Sequence, residues 1–235
     1  MTVTLVVIQV VAVLALIAVV PQRAAAWANG DDWGNGFGTH DWVLVEADRL
    51  ARAAGCGWLD LKAALPHTDD PDTRLRDFYH HVYDVWGGRY GDAPTHIEKL
   101  YRRTVRQLRA GKRRAASISF ALLSHYYSDI CNPLHTDQTR LEERIHSNYE
   151  DAVERRTDRR GDNRRWIRPG RVRVRSSAAA AARGAAKWAH RSYTMLVREY
   201  ARHGYSARVN SITRRCLDRA VNDLADLLLT VQKAR

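Results

Sequence analysis

The segment RRAASISFALLSHYYSDI (113–130) is strongly apolar, yet it carries His125 and Asp129 four residues apart. On a helix these two lie one turn apart on a single face. A helix of this composition belongs at the centre of a bundle, and a buried imidazole and carboxylate on it fit a metal site inside that bundle. The pattern continues downstream. His146 and Glu150 repeat the four-residue spacing, and His135 follows an Asn132-Pro133 break, where proline disfavours further helix. An isolated His/Asp pair one turn apart is ordinarily a solvated or hydrogen-bonded pair. Two such pairs with a His between them offer what a multinuclear zinc site requires: neutral imidazole nitrogens and carboxylate oxygens, with few thiolates.

Helical spacing dominates the rest of the chain, and period-2 alternation is nearly absent. DWVLVEADRLARAAG (41–55) places Trp42, Val45 and Leu50 on one face, with Gly55 suited to a C-terminal stop. THIEKLYRRTVRQLRAG (95–111) turns Ile97, Leu100, Tyr101, Val105 and Leu108 inward, and 141–156 reads as a further helix. Residues 176–204 read as one long helix, with Gly184 the point of any interruption, and 209–233 as a last amphipathic one. The expected fold class is all-α, a compact single-domain helical bundle.

Residues 3–20 form an apolar run without a charge, followed by Ala24-Ala25-Ala26. Such a run with small residues after it reads as a secretory signal, residues 1–26, cleaved after Ala26. It is also long enough to serve as a membrane anchor. Cleavage leaves 27–235 as one domain that begins at Trp27, with His40 after the glycine-bearing stretch GNGFGTH.

A leading Trp, a His shortly after it, and the H-x3-D-x5-H…H-x3-E series together resemble the bacterial zinc-dependent phospholipase C family. The wider superfamily includes the S1/P1 nucleases. HHVYDVWG resembles a further ligand segment of that family, with His81 in the ligand position and His80 its rival. The missing aspartate falls in HTDDPDTRLRDF, where Asp72 follows proline as the family often has it; Asp69 and Asp70 are the alternatives. The resemblance implies the family's helical bundle and three zinc ions. His81, His125 and Asp72 would hold one, with Asp129 bridging to a second held by Trp27 (amine and carbonyl) and His40. His135, His146 and Glu150 would hold the third. Asp72 could also act as general base toward water. Phe78 could present an aromatic face to a choline headgroup, although core packing is the commoner fate of such a residue.

The implied activity is a secreted phospholipase C, a monomer that hydrolyses phospholipid at a membrane surface to diacylglycerol and a phosphorylated headgroup. The alternative is a zinc nuclease that cleaves single-stranded nucleic acid, for which Trp33 would replace Trp27 as the leading residue. A third possibility is a non-catalytic binding protein stabilised by metal. The net charge is +12, and ten arginines fall within 155–175. That stretch reads as a solvated loop, or as a surface for anionic headgroups or nucleic acid. The three cysteines, Cys56, Cys131 and Cys216, allow at most one intramolecular disulfide and contain no CxxC motif; Cys131 is expected to be a buried structural residue.

Overall fold

The computed structural model describes residues 36–87, 90–157 and 163–235. The signal segment, its cleavage site, Trp27 and Trp33 lie outside these residues. The described residues form eight α-helices and no strand, the all-α class expected. They are α1 (Thr39–Ala53), α2 (Leu61–Ala64), α3 (Ala93–Arg109), α4 (Arg113–Cys131), α5 (Arg140–Thr157), α6 (Ala178–His190), α7 (Tyr193–His203) and α8 (Ala207–Ala234). None of the described helices is long and apolar enough to cross a membrane.

The central helix is α4, buried from Ser119 through Cys131. It forms an antiparallel hairpin with α3 through a short turn in which Gly111 takes φ +70°, a conformation that favours glycine. Helix α8 packs along α1 and α4, and the alanine-rich face of α6 lies against α3 and α4. Trp58 seals one end of the core: its indole N–H donates to the Leu228 carbonyl (3.0 Å), and its ring meets Phe120 edge-on at 5.6 Å. Cys56, Cys131 and Cys216 are all buried free thiols. Burial pushes the Cys56 thiol up to about 11 and the Cys216 thiol to about 12, so both stay protonated and unreactive at neutral pH.

Two sequence expectations need correction. Residues 176–204 do not form one helix interrupted at Gly184; Gly184 lies inside α6, and the break falls at Arg191–Ser192. Packing decides this. The alanine face of α6 faces α3 and α4, whereas Tyr193, Leu196 and Val197 of α7 are buried on the side of α5. The buried positions of the two helices follow one stripe, but the stripe must turn from α3 and α4 to α5, so the axis bends between them. The second correction concerns the arginine-rich stretch, whose described part from 163 to 175 is a docked strap. Backbone N–H groups of Arg168, Gly170, Arg173 and Arg175 donate to Asp218, Asn222, Asp226 and Thr230, at 2.6–2.9 Å. Those acceptors are four residues apart, so one face of α8 presents them as a row.

Candidate metal centre

Three elements converge on α4. Helix α1 starts behind Gly38, and its second residue, His40, is fully buried. The turns after α2 carry Asp72 and His81, and α5 carries His146 and Glu150. Helix α4 ends at Cys131 because Pro133 cannot continue it. Asn132 caps the following turn, its side-chain oxygen accepting from Leu134 N–H at 3.1 Å, and so points His135 back toward α5.

The eight His and carboxylate side chains expected as ligands among the described residues fall into three groups, the first two sharing His125. These are His40–Asp72–His125, His81–His125–Asp129 and His135–His146–Glu150, each with ligand-type atoms within 4.8 Å of one another. Asp129 lies between the first two: its Oδ2 is 2.8 Å from His81 Nδ1 and 3.4 Å from His125 Nε2, and its Oδ1 is 3.6 Å from His40 Nε2. Asp72 reaches 3.6 Å from both His81 and His125. Glu150 Oε1 sits 3.1 Å from His135 Nε2 and 3.0 Å from His146 Nε2. The grouping differs from the expected one in a single respect: His125 is shared between Asp72 with His40 and Asp129 with His81.

Among the rivals, Asp70 accepts from Arg74 and pairs with His67, both at 2.7 Å, and Asp69 belongs to none of the three groups. His80 faces away from Asp129 toward Asp92. Phe78 is half-buried, with its ring 6.1 Å from that of His81.

The imidazole tautomers can be argued from the partners. His125 Nδ1–H donates to the Thr68 carbonyl (2.6 Å) and His135 Nδ1–H to the His81 carbonyl (3.2 Å), because a carbonyl only accepts. Ser128 Oγ spends its one proton on the His125 carbonyl, and therefore accepts from His40 Nδ1–H at 2.8 Å. Each ring is left with its Nε2 lone pair facing the cluster, the arrangement outer partners impose on metal-binding histidines. His146 Nδ1–H is likewise held by Glu142. His81 is turned the other way, with Nδ1 toward Asp129.

Burial, reinforced by neighbouring imidazoles, holds His40 and His125 well below the ordinary histidine range. Burial also lowers His81, to about 4. His146 runs the opposite way: burial lowers it, but Glu150 and Glu142 outweigh that and lift it to about 10. Burial raises the Glu150 carboxyl, and His146 and His135 more than offset this, so its net shift is downward.

Zinc fits this donor set. Glu150 Oε2 is buried without a hydrogen bond, a condition that costs about 1–3 kcal/mol and that a cation would relieve. The ligands are nitrogen and oxygen, and Cys131 stands apart from the three groups. Sequence reasoning missed the orienting residues Thr68, Ser128, Asn132 and Glu142. Only Glu142 carried a signal, standing four residues before His146.

A groove of about 390 Å³ is lined by Val82, which follows His81 in the chain, and by Asp84, Trp86, Tyr90, Asp137 and Gln138. Three large apolar side chains of this region are exposed, Trp86 to 78% and Leu75 and Tyr79 to 47% each; Trp86 lines the groove, and Tyr79 meets Tyr90 of the groove edge-on at 5.2 Å.

No family model matches the chain, and no curated protein sequence matches it significantly. Among solved structures, the chain is similar to an alpha toxin from Clostridium absonum, at 14% identity and TM-score 0.63, covering 85% of this chain and 65% of that one. It is also similar to the alpha-toxin of Clostridium perfringens from an avian strain, at 15% identity and TM-score 0.60, covering 84% and 65%. The chain thus spans just under two thirds of the length of either toxin. At such identity the likeness speaks for the fold. The helical fold shared with the alpha toxins agrees with the all-α bundle expected from the sequence.

Proposed function

We propose that this chain is a secreted zinc-dependent phosphodiesterase of the phospholipase C type. The observation that carries this reading is the convergence of eight His and carboxylate side chains, from six separate segments, on one buried locus. Three zinc ions would be held by His81, His125 and Asp72; by Asp129, His40 and Trp27; and by His135, His146 and Glu150. Bound there, zinc supplies a water of lowered pKa and charge neutralisation at the phosphoryl oxygens.

The chain's own residues supply the rest. Thr68, Ser128, His81 and Glu142 hold imidazole Nδ1 protons, so that Nε2 is offered as a neutral donor. Asn132 donates to Glu150 Oε1 at 3.1 Å and keeps that carboxylate in place. Asp72, 14% exposed, is the most accessible carboxylate of the cluster, which suits it to take a proton from an attacking water. Trp86, Tyr79 and Leu75 favour a lipid surface over a polyanion as the partner, because exposed aromatics lose little and gain contact at a membrane interface.

The test uses zinc-loaded protein beginning at Trp27, with phosphocholine release from phosphatidylcholine vesicles measured with and without chelator. Chelator-sensitive release is expected, falling at least about 100-fold in Glu150→Gln, at the upper end of the effect of disturbing a metal site. No release from metal-replete protein refutes the lipid reading, and nucleotide release from single-stranded DNA in the same preparation would replace it with the nuclease.

A further inference from the structure

We propose a fourth metal site, separate from the cluster on α4, in which Asp77, His80 and His96 bind one zinc ion. The ligand-type atoms of these three already lie within 4.8 Å of one another. Asp77 precedes the turn Phe78–His81, His80 lies within it, and His96 stands in the first turn of α3. The site therefore joins two segments that are distant in sequence.

The local geometry resembles that of a built ligand set. His80 is held through Nδ1 by the Asp92 carboxylate, which leaves Nε2 directed to Asp77 Oδ2 at 3.6 Å. A carboxylate on the outer nitrogen fixes the ring and raises its basicity as a ligand. A tetrahedral zinc about 2.0–2.1 Å from each donor keeps its ligands about 3.3 Å apart, so closing the Asp77–His80 gap requires a shift of only a few tenths of an ångström. The His96 ring stacks on His80 with centroids 3.9 Å apart. Two stacked imidazoles cannot both carry a proton charge cheaply. Burial, followed by His80, pulls His96 down to about 4, so at neutral pH it presents a lone pair.

Access and separation also fit. The His80 and Asp77 side chains are 26% and 29% exposed, so an ion can enter from solvent and retain a water as fourth ligand. This group shares no residue with the main cluster. The buried Tyr126 ring touches both, with its centroid 4.7 Å from that of His96 and 4.9 Å from that of His81, and its hydroxyl donates to Asp77 at 3.4 Å. The adjacent histidines His80 and His81 engage different carboxylates, Asp92 and Asp129. The fourth ion would fasten the turn that carries His81 and Phe78 to the start of α3.

The experiment counts zinc per chain by native mass spectrometry on zinc-loaded protein beginning at Trp27, with cobalt absorption as a second readout. His96→Ala, His96→Gln and Asp77→Asn should each lose one equivalent relative to wild type and keep the remainder. Glu150→Gln should lose metal from the main cluster and keep the fourth ion, which separates failure at one site from failure at the other. His96→Gln preserves side-chain volume, so it reports even where His96→Ala does not fold. Wild-type zinc content and cobalt spectra in folded His96→Gln and Asp77→Asn would overturn the proposal.

Discussion

Asp226 sits where the arginine-rich strap meets α8, and replacing it in two ways separates backbone docking from charge pairing. Its carboxylate accepts from Arg173 N–H at 2.6 Å and from Arg175 Nε at 2.7 Å. Burial raises the Asp226 carboxyl despite Arg175, so the folded environment disfavours its charge slightly on balance. Arg175 keeps a second partner, Asp223, at 2.8 Å, and its side chain is 36% exposed, so it does not depend on Asp226. The backbone N–H of Arg173 has no such alternative in the row of acceptors. Asp226→Ala strands that donor and removes two hydrogen bonds, a loss of about 2–3 kcal/mol. Asp226→Asn keeps an oxygen for Arg173 and should cost about 1 kcal/mol or less. For a domain of this size, about 2–4 °C of Tm follows each kcal/mol, so the alanine variant should melt about 5–10 °C lower and the asparagine variant about 3 °C lower or less. Limited trypsin digestion provides the second assay, since an undocked strap offers Arg168, Arg171, Arg173 and Arg175 to the protease. Equal destabilisation by the two variants would refute the reasoning, for the ion pair would then outweigh the backbone docking.

Arg76 takes φ 50° and ψ 44°, the left-handed region, at an exposed position beside Asp72. Arg76→Gly should relieve roughly 1–2 kcal/mol of strain, partly offset by about 0.4–1 kcal/mol from a looser unfolded chain, for a Tm rise of about 2 °C; a fall in Tm would show that the arginine side chain makes a contact worth more than the strain. Zinc binding at His135, His146 and Glu150 must displace a proton, because His146 is lifted to about 10 without metal. Calorimetry at pH 7.5 in buffers of different ionisation enthalpy should show about one proton released per chain from that group, and Glu142→Gln should lower this number by removing one of the two carboxylates that hold the proton; a buffer-independent enthalpy would contradict it.

The residue order held much of the site because helical geometry is local. Spacings of four residues put His125 above Asp129 and His146 above Glu150 without reference to the rest of the chain. The Asn132-Pro133 break was readable for the same reason, since proline acts on its own backbone and that of its neighbours. The choice of Asp72 over Asp70 was left open by sequence. It depends on an irregular turn at Pro71–Leu75 and on Arg74 and His67 engaging Asp70 instead.

Other features came only from tertiary contact. The break at Arg191–Ser192 follows from two apolar faces that must meet different neighbours, which no propensity encodes. The arginine stretch looked solvated by composition, yet its backbone is bound by a row of acceptors from α8, more than forty residues further on. Asp77, His80 and His96 gave no pattern at all, because their spacing spans a turn, a loop and the start of a helix. The sequence by itself determined the helices and the ligand pairs within each, through interactions one turn long. Which pairs face one another and which way each imidazole is turned were decided by packing around α4, where burial leaves few polar atoms without a partner.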